Sequence, residues 1–182
     1  VIEVGGAGVM LVGSAAAAVV LGLVGLFASR RLGPVTAFAL AGLAWSLVVI
    51  ALVTLVPPSG TATLVLAEER SESCSTDYGG PAPEGFWILG GGQRMLNTAL
   101  FVPAGALLVL GLARWRGAWV LVPLGLAGLV GYSVLIELTQ LEVARIDRAC
   151  DVTDVVDNST GALLGGAVGL GLAWVLQPWR RD

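Results

Sequence analysis

Histidine and lysine are absent from this 182-residue chain, cysteine occurs twice, and charged residues make up only 13% of it. Each scarcity excludes something. Without histidine there is no imidazole to act as general base, the commonest side chain in that role. No serine or cysteine stands paired with a base as a nucleophile, and no nucleotide-binding motif occurs. All ten basic residues are arginine, and they form no patch of the kind that holds nucleic acid. The abundance of Ala, Gly, Val and Arg is what GC-rich coding produces. A soluble domain carries about one quarter charged residues, so this chain lies outside that class.

What fills the chain instead is hydrophobic sequence, 56% of all residues, gathered into long blocks. About 20 apolar residues cross the hydrocarbon core as a helix. Five blocks meet or approach that length, near 4–28, 34–56, 95–113, 118–138 and 158–176. The expected fold is therefore all-α, a five-transmembrane-helix bundle forming one domain over 1–182, with a long outer loop at 57–93. The first block is read as a retained span. Glu3 stands where a signal peptide carries positive charge, and the run that follows is too long for its apolar segment. The loop holds a run at 61–67 that can form a short strand and a segment at 81–92 that reads as a turn and an interfacial stretch. It is too small for a core of its own.

Five spans put the termini on opposite sides. Arg30, Arg31, Arg114, Arg116, Arg180 and Arg181 fall in one set of short loops and the tail, while Arg70, Arg94, Arg145 and Arg148 fall opposite, with nearly all the acids. Short arginine-bearing loops mark the cytoplasmic side. The expectation is a multi-pass protein of a bacterial cell membrane, N-terminus outside and C-terminus cytoplasmic. Trp115, Trp119, Trp174 and Trp179 then belt the inner interface, and Trp87 lies near the outer one. Cys74 and Cys150 both fall on the outer, oxidising side, which predicts a disulfide.

The polar residues of the spans fall on faces. Arg94, Asn97, Phe101 and Gly105 recur at helical spacing, as do Ser133, Glu137 and Gln140. Asp154, Asn158, Gly161, Gly165 and Gly169 form a third stripe, whose GxxxGxxxG pattern permits close helix contact. Pro103 removes a backbone donor and is expected to kink its span. All three patches sit at the outer ends of their helices, so they converge on one membrane level. Several readings remain open. Asp154 and Asn158 can cap a helix, and Asp147, Asp151 and Asp157 can form a solvated loop face. Glu137 can pair with Arg148 or Arg145 as a structural clasp, because a buried carboxylate without a partner takes up a proton.

At these residues the chain resembles the VanZ-like family of bacterial membrane proteins. The matching pieces are the run from Asn97 through Phe101 and Pro103 to Gly105, the run from Glu137 to Gln140, and the run from Arg148 through Asp151, Asp154, Asp157, Asn158 and Gly161 to Gly165. Together they cover roughly 94–169. The family is named for a member that gives low-level resistance to the lipoglycopeptide teicoplanin, and the resemblance implies action at the outer membrane face.

Three functions compete. In the first, Arg94, Asn97, Glu137, Gln140, Arg148, Asp151, Asp154 and Asn158 line an outer pocket for an amphiphile, either a membrane lipid, a lipid-linked cell-wall precursor or a lipoglycopeptide. Arginine would meet phosphate or carboxylate there. In the second, an enzyme, Glu137 is a general base while Asp151 and Asp154 place a divalent cation. In the third, the chain is a structural helper that packs against another membrane protein through its glycine faces. Pro103, Gly105, Gly161 and Gly165 read as structural in every case, and no organic cofactor or nucleic acid is expected.

Overall fold

The computed structural model describes residues 6–56, 73–78, 92–142 and 150–179. Five helices account for nearly all of them: α1 (Gly6–Leu32), α2 (Pro34–Leu55), α3 (Gly92–Leu112), α4 (Ala118–Glu142) and α5 (Val152–Leu176). Each is long and apolar enough to cross a membrane. Among the described residues there is no strand, only an isolated parallel bridge between Ser75 and Asp151. The segments at 61–67 and 81–91, Trp87, and the rest of the loop apart from 73–78 lie outside the described residues.

The helix ends follow from local chemistry. Gly33, at φ 73°, supplies the left-handed turn after α1, and Pro34 starts α2 at a position where its missing donor costs nothing. The Asp151 carboxylate accepts a 2.8 Å hydrogen bond from Thr153 N–H and caps α5. Helix α3 runs unbroken through Pro103, which is exposed. The polar ends are more helical than hydropathy suggests: α3 begins at Gly92, α4 continues to Glu142 and α5 begins at Val152. Arg94, Gln140, Asp154 and Asp157 are thereby placed on helices.

Consecutive helices alternate in direction, so α3 and α5 run parallel, and these two are packed most intimately. A Cβ built on Gly161, Gly165 or Gly169 would strike the carbonyl oxygen of Thr98, Val102 or Ala106 in turn, and one on Gly105 would strike that of Ala162. The register between the two helices is the same 63-residue offset that separates Arg94 from Asp157. With little hydrophobic drive between helices in lipid, such backbone contact supplies dispersion and weak Cα–H···O attraction instead. Ile50 of α2, Phe101 and Ala104 of α3, Leu129 and Ile136 of α4, and Ala162 of α5 form the buried core beside this seam. Helix α1 is peripheral, with Gly25 its one buried residue, and leans on α2 through Gly13 and Gly25.

Candidate functional site

One end of the bundle collects the last turns of α2 and α4 and the first turns of α3 and α5. At its centre is a buried ion pair. Arg94 Nε and Nη2 donate to the two carboxylate oxygens of Asp157 at 2.9 and 2.8 Å. Arg94 is 5% exposed and Asp157 is sealed completely. Two charges in this setting hold because the fork of the guanidinium matches both oxygens. Separating them would leave a bare charge where little water reaches. Arg94 Nη2 also donates to the Tyr78 hydroxyl at 2.9 Å, and the guanidinium carbon lies 5.0 Å from the centre of that ring, within the range of cation–π attraction.

The open reading of Asp157 as part of a solvated loop face is set aside by this arrangement. Four residues before Gly161, it continues the glycine stripe and therefore points at α3 rather than at water. Asp147, Arg145 and Arg148 lie outside the described residues, as do the expected contacts of Glu137 with the two arginines. Glu137 is 3% exposed and accepts the Asp151 backbone N–H at 3.1 Å, which joins α4 to the start of α5.

Two other candidates also bridge helices. Gln140 Nε2 donates to the Thr54 carbonyl at 3.0 Å, joining α4 to α2. Asn158 Nδ2 donates to Ser133 Oγ at 2.9 Å, joining α5 to α4. Asp154 lies in the first turn of α5, half-buried, with its N–H on the Asp151 carbonyl. Asn97 and Thr98 differ from these. The Asn97 amide nitrogen and the Thr98 hydroxyl are enclosed with no hydrogen-bond partner among the described residues, although Asn97 as a whole is only half-buried. Such groups cost roughly 1–3 kcal/mol each. Among the described residues, no group of three or more carboxylate, thiol or imidazole side chains is gathered as a metal site would need.

Sequence reasoning missed Asp157, Tyr78 and Thr54. The glycine register would have found Asp157. Nothing local could have found Tyr78, which is brought in by covalent and backbone ties. Cys74 and Cys150 form a disulfide, with Cα atoms 4.5 Å apart. Beside it Ser75 N–H donates to the Cys150 carbonyl at 2.9 Å, and Val152 N–H donates to the Ser75 carbonyl at 3.0 Å. The segment 73–78 is thus clipped to the start of α5, and Tyr78 reaches over Arg94. Peptide mapping without reductant should recover Cys74 linked to Cys150. Replacing both by alanine should lower stability by about 2–4 kcal/mol in reversible unfolding, and reductant should then have no further effect. Two free thiols in the mature protein would contradict this.

The fold and this end define a class: a small multi-pass helical membrane protein whose polar residues are drawn together at one end of a glycine-packed bundle. The family model VanZ/LLP1 matches residues 45–176, and the chain belongs to that family. The match reaches back into α2, beyond the motifs that carry the resemblance in sequence, and α2 is the helix that gives Ile50 to the core and the Thr54 carbonyl to Gln140. Comparison with curated proteins finds no match, and neither does comparison with solved structures.

Proposed function

We propose that this chain binds an amphiphile with an oxygen-rich head at the polar end of the bundle, a lipid-linked cell-wall precursor or a lipoglycopeptide, in keeping with the teicoplanin association of the family's name. The observation that carries the reading is the enclosed Asn97 amide nitrogen and Thr98 hydroxyl, side by side in sequence and without hydrogen-bond partners among the described residues. A ligand oxygen approaching them recovers a desolvation cost that the protein alone leaves uncompensated. Arg94 and Asp157, Gln140 and Thr54, and Asn158 and Ser133 hold the surrounding helices in place, so that end is rigid enough to present a headgroup site. In this reading the polar end faces outward and the termini lie N-out and C-in. The arginine distribution and the disulfide support that orientation. Mapping the cysteines on cells lysed into a thiol-blocking reagent tests it, since free thiols would place this end in the reducing cytoplasm.

Asn97→Ala and Thr98→Val test the binding. Deleting an unpartnered buried polar group is neutral or stabilising, so both variants should match the parent in membrane abundance. Binding of a lipid-linked precursor should nonetheless fall about tenfold for Asn97→Ala, the worth of one good hydrogen bond. Unchanged binding in both variants would remove the proposal, as would losses that only track abundance.

A structural reading has its own support. Most polar candidates are spent on contacts between helices, which is what an accessory subunit held by a clasp requires. It predicts that abundance, and no separate activity, responds to substitution at this end. The metal-assisted enzyme has weaker support, because Asp151 caps α5 and the described residues gather no ligand set.

A further inference from the structure

The opposite end of the bundle holds a second site, independent of the polar cluster. A groove of about 470 Å³ opens there between α3, α4 and α5, lined by Ala113, Ala118, Trp119, Pro123, Trp174 and Trp179 among others, all of them apolar. The small side chains of Ala113, Ala118 and Ala173 leave the space, and exposed indoles flank it. The α3–α4 turn connects two of its lining residues, Ala113 and Ala118, and between them it carries Arg114 and Arg116. Arg114 donates from Nη1 to the Leu32 carbonyl at the end of α1. That bond brings the turn against the helix end that bears Arg30 and Arg31. Four arginines thus lie at one end of the bundle, and neither the last turn of α1 nor the α3–α4 turn contains an acidic residue.

We propose that this groove holds an acyl chain of an anionic glycerophospholipid whose phosphate is bound by Arg114 and Arg116. The apolar walls at bilayer depth suit a hydrocarbon chain. Charge complementarity selects the headgroup, because arginines close to a membrane surface attract anionic lipid by about 1 kcal/mol each. Tryptophan belongs at this boundary, with its ring in the acyl region and its N–H toward the headgroups. The exposed Trp119, Trp174 and Trp179 wall the groove on that pattern. A zwitterionic lipid fits the groove equally well but not the arginines.

The groove tryptophans supply the readout. The intact protein is reconstituted in phosphatidylcholine vesicles doped with phosphatidylglycerol brominated on its acyl chains, or with phosphatidylcholine brominated in the same way. Bromine quenches indole only on contact. The brominated phosphatidylglycerol should quench at a lower mole fraction than its zwitterionic counterpart. Arg116→Gln should shrink that preference about fivefold, the worth of one arginine near a lipid surface. Arg114→Gln combined with Arg116→Gln should abolish it. Because Arg114 also holds α1, Arg116→Gln is the cleaner variant, and unchanged helical circular dichroism and thermal unfolding show that each variant is folded. In a Trp115→Phe background, which silences the indole between the two arginines, replacing Trp119, Trp174 and Trp179 together by Phe should remove the headgroup-selective part of the quenching. Equal quenching by the two lipids overturns the proposal. So does a preference that survives the double arginine change, or one that persists without the three groove tryptophans.

Discussion

Gly165→Leu should yield almost no folded protein, although glycine to leucine raises both helix propensity and hydrophobicity in a membrane span. The loss comes from geometry. A Cβ at 165 already lies inside the Val102 carbonyl and within 3.0 Å of the Ala106 nitrogen, and both are backbone atoms of α3 that no rotamer change can move. The two helices must separate, and the seam from Gly161 to Gly169 opens with them. Overpacking a core costs typically 1–3 kcal/mol. A backbone collision repeated along a seam should reach or exceed the upper figure, a large share of the roughly 5–15 kcal/mol that holds a domain together. Gly165→Ala should be milder and still clearly destabilising. Gly171 on the same helix and Gly128 on α4 have nothing within 4 Å of a built Cβ, so alanine there should leave stability unchanged. Reversible unfolding in mixed micelles, with membrane abundance alongside, measures all four. Equal effects at Gly165 and Gly171 would show that α3 and α5 are not in backbone contact.

The second large effect belongs to the ion pair. Arg94→Met or Asp157→Leu alone should cost about 3–5 kcal/mol, because each leaves one buried charge without its partner. The double replacement Arg94→Met with Asp157→Leu should recover much of that loss, since well-packed apolar residues in place of a buried pair are often neutral or better. The comparison uses unfolding free energies of the three variants and the parent, and the double-mutant coupling is the quantity that decides. Additive losses would mean that the two residues do not act together. Tyr78→Phe removes only one of the acceptors of Arg94, and its effect should stay near the roughly 1.5–3 kcal/mol of a hydrogen bond to a charged group.

Much of the architecture was legible in the chain because length and hydropathy decide it. Five apolar runs gave five helices, and 34–56 and 118–138 agree closely with α2 and with the start of α4. The helices reach past the apolar runs at the polar ends, where α3 starts before 95 and α5 well before 158. Hydropathy cannot see a helix continuing into charged residues whose partners sit on other helices. The face containing Ser133, Glu137 and Gln140 was read from spacing, and all three side chains are buried. The solvated-loop reading of Asp157 stayed open because three neighbouring carboxylates look like a solvated loop when each is judged by its own sequence surroundings.

The sequence by itself determined that the chain lies in a membrane, how many helices cross it, which cysteines join, and that its polar residues gather at one end. Those properties follow from counting apolar residues against a bilayer thickness and from the periodicity of a single helix, both of them local. Only the tertiary structure decided who pairs with whom. Arg94 takes Asp157 and Tyr78, Glu137 takes a backbone N–H, Gln140 takes a carbonyl of α2, and the Asn97 amide nitrogen and Thr98 hydroxyl take no partner among the described residues. The offset between α3 and α5 sets the first of these pairings, and that offset is fixed by where glycines let two backbones touch. A single helix carries no record of its neighbour's register, so the ion pair appears only once the two are packed.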